Sequence, residues 1–123
     1  MENLSNEKKE ALYGKKLSPA FKRELKQRVK VHDFISRRYR TVWKRPSKAL
    51  AGGEAWGLCE DNDAPEKTIH IDPNLGEYDF LTTCLDESIH ACNFSLDNDH
   101  VGEMADSMAY FLWRIGFRLE EDI

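Results

Sequence analysis

Cysteine is scarce in this sequence. The three residues, Cys59, Cys84 and Cys92, are an odd number at no zinc-ribbon spacing. A disulfide framework is therefore not what organises the chain, and reduced thiols are expected. Long apolar runs are missing too: none approaches the roughly 20 residues that a membrane helix needs. The stretch from Met1 to Gly14 is polar and charged and lacks the apolar core of a signal peptide. These absences lead us to expect a soluble, cytoplasmic protein with no membrane partner. There is no internal repeat, no low-complexity segment and no recognised nucleic-acid motif. Basic residues nearly vanish after the first fifty positions. Residues 1–50 hold 15 Lys and Arg against 5 Asp and Glu, whereas residues 51–123 hold 3 against 17. Such a basic half suits an anionic partner, nucleic acid among them. It also suits a basic layer packed beside the acidic remainder of the same domain.

What is present fits one globular unit. The chain has 123 residues, of which 41% are apolar and 33% charged, enough to bury one core without staples. Residues 1–17 read as a flexible leader and residues 18–123 as a single domain. Ser18-Pro19 is a helix start: the Ser side chain caps, and Pro takes the first turn, where its missing N–H costs nothing. Phe21, Leu25, Val29 and Ile35 recur at near-helical spacing and predict one core face, with Lys22, Arg23, Lys26 and Lys30 opposite. From Arg38 to Trp43 the residues favour a strand, which Pro46 ends. Residues 51–53 read as a turn and 55–60 as a short strand. Residues 67–72 alternate as a half-buried strand, Ile69 and Ile71 facing one way and Thr68, His70 and Asp72 the other. Two helices follow, from about 79 to 93 and from the Asp97 cap to about 118. Their predicted stripes are Leu81, Cys84, Leu85, Ile89 and Cys92, then Val101, Met104, Ala105, Met108, Leu112 and Ile115. This order predicts an α+β domain.

The first of these two helices carries the chemistry. Asp86 and His90 are four apart and share a face, with Glu87 beside them. Two ligand-type side chains at i and i+4 with a neighbouring glutamate repeat the geometry of H-E-x-x-H, in which the pair holds zinc and the glutamate is general base toward the attacking water. Here an aspartate, Asp86, stands at the first position. The next helix offers His100, Glu103 and Ser107 on one face. The short connection Phe94-Ser95-Leu96 should pack the two helices side by side, bringing Glu103 over Asp86 and His90 as a third ligand.

Several blocks in order carry a resemblance to a known group. They are Trp56-Gly57-Leu58-Cys59-Glu60, Ile69-His70-Ile71-Asp72-Pro73, Leu85-Asp86-Glu87-Ser88-Ile89-His90-Ala91-Cys92, then Leu96-Asp97, Val101, Glu103, Ala105 and the run Phe111-Leu112-Trp113-Arg114-Ile115-Gly116-Phe117-Arg118. Together they resemble small phage-type and bacterial metallopeptidases of the zincin, SprT-like kind, over about residues 55–118. The resemblance implies a zincin-like fold: an N-terminal helix, a small sheet and two C-terminal helices. It implies zinc held by His90, Glu103 and Asp86, with Glu87 as catalytic base, and a peptide or protein substrate. Two departures stand out: Asp86 replaces the first histidine, and Gly102 stands where relatives often have glutamate. The strand at 67–72 is expected to present an edge for an extended peptide. The alternative expectation is a binding or accessory protein that keeps the scaffold without catalysis, and that contacts nucleic acid through its basic N-terminal helix.

Overall fold

The Ser18 side chain accepts a hydrogen bond from the Phe21 N–H and so starts helix α1, Pro19–Arg28. The computed structural model describes residues 15–119. Residues 1–14 of the expected leader lie outside them. The leader's last three residues are tied down: Lys16 bridges to Gly76, the Lys15 carbonyl accepts from the Glu77 N–H, and Leu17 is 4% exposed in the core.

Helix α1 is shorter than its apolar spacing predicts. Ile35, expected on its core face, is 74% exposed because the chain leaves the helix and forms a hairpin. Strand β1, Val31–Phe34, pairs antiparallel with β2, Arg37–Val42, and Phe34 faces Arg37 across a two-residue turn. Ile35 takes the first turn position at φ 60, a conformation that Gly adopts freely and a β-branched residue resists. After Pro46 comes a single helical turn, α2, Lys48–Ala51, closed by Gly52 in the left-handed region. Strand β3, Gly57–Cys59, and strand β4, Thr68–Ile71, follow.

The sheet order is β1-β2-β4-β3, with β2 parallel to β4 and the other pairs antiparallel. This overturns one expectation. The 67–72 strand is central rather than an edge, and its Thr68 and Asp72 are buried along with Ile69 and Ile71. The outer strand on this side is β3.

Helix α3, Glu77–Cys92, lies between the sheet and helix α4, Asn98–Arg114. Asp97 caps α4, accepting from the His100 N–H. Leu81 and Leu85 pack with Tyr78, Ala109 and Trp113 on the α4 side. The sheet side buries Phe80, Thr83, Glu87, His90 and Ala91. The expected stripe is therefore split, Leu81 and Leu85 toward α4 and Cys84 against the cluster of Phe21, Ile71 and Phe80, because α3 has neighbours on two sides. In α4 the buried row is Val101, Ala105, Ala109 and Trp113, while Met108 and Ile115 of the expected stripe are exposed. Small side chains at 105 and 109 let the two helices approach closely, so this row is buried rather than the one with the larger methionines.

Phe21 and Leu25 of α1 join Ile71, Leu75 and Phe80 in one cluster, and Tyr39, Cys59, Ile69 and Ala91 form a second. Fully burying a side chain such as Phe21 contributes roughly 1.5–3 kcal/mol. The Tyr39 hydroxyl donates to the Glu60 carbonyl and accepts from the Asn62 amide, which also donates to the Ala91 carbonyl; the Asn62 oxygen accepts from the Phe94 N–H. Asn62 thereby pins the end of α3 to the β3–β4 connection, one residue from His90. Among the described residues no helix is long and apolar enough to cross a membrane.

Candidate metal centre

The i/i+4 spacing on α3 sets Asp86 Oδ1 3.5 Å from His90 Nε2. One ligand atom each from Asp86, Glu87 and His90 lies within 4.8 Å of the others. Two ligands held about 2.0–2.1 Å from one zinc at a near-tetrahedral angle sit about 3.3 Å apart, so the Asp86–His90 separation suits a shared ion. The donor set, one imidazole and two carboxylates, suits a divalent cation of borderline character such as zinc. His90 Nδ1 is buried with no hydrogen-bond partner.

Burial dominates the electrostatics. Glu87 is 8% exposed, and its carboxyl is pushed up to about 8, first by burial and then by the charge of Asp86. Asp86 is also raised by burial, a change opposed by His90 and reinforced by Asp106 of α4. Without a cation these carboxyls resist ionisation together; a bound cation reverses that balance.

Strand β3 closes one side of the site. A Cβ placed on Gly57 would meet Glu87 Cγ, Glu87 Oε2 and Thr83 Cγ2 at 2.8 Å each. Only glycine lets the strand's backbone come this near the carboxylate. The result is a cleft of about 510 Å³ whose lining includes Arg45, Trp56, Gly57, Asp86 and Glu87. Arg45 Nε donates to buried Asp72 Oδ2 at 2.8 Å, which fixes the guanidinium at the cleft wall.

Of the four residues expected at the site, three converge and one does not. Glu103 is exposed and belongs to no metal-binding group among the described residues. It sits two positions from both Val101 and Ala105, about 200° round the helix from each, and so faces away from α3. The acidic residue of α4 whose charge reaches the site is Asp106. Had the helix been oriented by its alanines rather than its methionines, Asp106 would have been picked out in place of Glu103. Arg45 and Gly57 escape a motif search because both act across distant segments. The three cysteines form no disulfide, and burial pushes the Cys59 and Cys84 thiols up to about 12, which suits packing rather than ligation. No protein-family model, curated protein or solved structure matches the chain.

Proposed function

We propose that this chain is a zincin-like domain of the SprT-like kind, a metal-dependent peptidase that holds one zinc ion at Asp86 and His90 and uses Glu87 as general base. The observation that carries the reading is the convergence of Asp86, Glu87 and His90 within 4.8 Å, with Asp86 and Glu87 lining an open cleft. Zinc held there supplies Lewis acidity toward a peptide carbonyl and toward water. Glu87 then takes the proton of the attacking water and returns it to the leaving amine. Its carboxyl is desolvated by burial, and the adjacent cation favours the ionised form that acts as base. The free edge of β3 borders the same cleft, and an extended peptide can add to it as a further strand. Arg45, held on Asp72 through its Nε, keeps its other guanidinium N–H groups as donors for that peptide's carbonyls.

A second reading, a peptide-binding scaffold without catalysis, is favoured by the position of Glu103. With Glu103 facing away, Glu87 is needed either as third ligand or as base. Gly102, where relatives often carry glutamate, has open space around the position of a Cβ and supplies no side chain. Zinc titration by calorimetry and a peptidase assay separate the two readings. Stoichiometric zinc with turnover that Glu87→Gln abolishes supports the enzyme. Absence of turnover in zinc-loaded protein supports the scaffold.

A further inference from the structure

The basic half of the chain is sorted by the fold into paired and unpaired charges. Arg28 pairs with Glu24, Arg38 with Asp33, Arg45 with Asp72 and Lys48 with Glu54, while Lys22 donates to the neutral Asn74 amide oxygen. Lys26, Lys30, Arg40 and Lys44 make no ion pair among the described residues, and all four are exposed. These four line one groove of about 490 Å³ between the end of α1 and strand β2, and no acidic side chain lines it. The groove shares no lining residue with the metal cleft. Arg40 alternates along β2 with fully buried Tyr39, so it projects from the sheet face opposite α3.

Four unneutralised cations in one concave surface match a ligand of high, regular negative charge. We propose that this groove binds the phosphate backbone of nucleic acid without reading base sequence. Three of the cations are lysines, point charges suited to phosphate rather than to planar bidentate recognition of base edges. The one aromatic side chain of the groove is not a stacking platform. Trp43 donates its indole N–H to the Val29 carbonyl and packs its ring on Phe80. Duplex DNA, with the denser charge, is thus the better ligand and a single strand the weaker one.

The test is fluorescence anisotropy of the full chain with a labelled mixed-sequence duplex of about 20 base pairs, and with one of its strands. Four phosphate contacts predict a log–log salt slope of about −3.6 for the duplex, a loss of about 150-fold between about 50 and 200 mM salt, and about −2.8 for the strand. Lys44→Gln lowers the duplex slope by about 1. Replacing Lys26, Lys30, Arg40 and Lys44 together by Gln abolishes binding while circular dichroism stays unchanged. Arg114→Gln, which removes the same charge from α4, leaves affinity unchanged. Three results each overturn the proposal: no binding to either probe at about 50 mM salt, a slope that Lys44→Gln does not move, or binding to vesicles of anionic lipid but not to DNA.

Discussion

The packing of β3 against Glu87 can be tested with one methyl group. In Gly57→Ala the new Cβ would lie 2.8 Å from Glu87 Cγ, Glu87 Oε2 and Thr83 Cγ2, whereas carbon atoms rest at about 3.5–4.0 Å. The Glu87 carboxylate end can swing aside. Its Cγ and the stiff, β-branched Thr83 cannot follow without moving α3 or the strand. Thr83 Oγ1 also donates to the Asp79 carbonyl, which resists rotation. Overpacking of this kind costs about 1–3 kcal/mol, against a gain of about 0.4–1 kcal/mol from the stiffer unfolded chain. The expected net loss is on the order of 1–2 kcal/mol, and about 4 °C in Tm per kcal/mol for a domain of this size. Gly102→Ala is the matched control, because nothing lies within 4 Å of its Cβ position; it should gain about 1 kcal/mol in the helix interior. Urea denaturation of both variants reads the difference. The loss should shrink when Gly57→Ala is placed on a Glu87→Ala, Thr83→Ser background. A neutral or stabilising Gly57→Ala would refute the claim that β3 is seated on the carboxylate.

Four further outcomes are expected. In metal-free protein, the raised Glu87 carboxyl makes the folded state bind more protons than the unfolded one between its ordinary value and about 8. Stability therefore falls as pH rises through that window, by at most about 1.4 kcal/mol per pH unit, and Glu87→Gln flattens the profile; a slope that survives the substitution would assign it to another group. Asp86→His should tighten zinc binding at least about tenfold, since imidazole reaches further from the helix and removes one of two carboxylates crowded at 4.8 Å or less; equal or weaker affinity by calorimetry would mean that Asp86 is no displaced ligand. Glu103→Ala should leave zinc affinity within about twofold, because the side chain faces away from α3, and a tenfold loss, about 1.4 kcal/mol, would restore it as a ligand. Ile35→Gly should raise stability by about 1 kcal/mol in thermal melts, because it relieves a left-handed β-branched residue that buries little; a loss would show that the turn is not strained.

The local sequence determined most element types and part of the site, although the helical spacing that ran on to Ile35 gave way to strand Val31–Phe34. Ser18-Pro19 and Asp97 start their helices as capping chemistry demands, and the spacing of Asp86 and His90 makes them neighbours on any helix that contains them. Such features depend on residues within a turn or two of one another, so short-range pattern suffices. Only the tertiary structure decided the rest. Helix α3 offers two faces that can be buried, and its pattern does not say which neighbour covers each. The sheet took the face with Glu87, and Gly57, thirty positions away, then desolvated the carboxyl. The rotation of α4 about its axis followed from close packing at Ala105 and Ala109, and turned Glu103 out and Asp106 toward the site. Strand order made β3, not β4, the outer strand beside the cleft. The same pairing across distance left Lys26, Lys30, Arg40 and Lys44 uncompensated while neutralising Arg38 and Arg45. A charge's partner, like a strand's, is set by which surfaces meet, and that is a property of the folded chain rather than of any window along it.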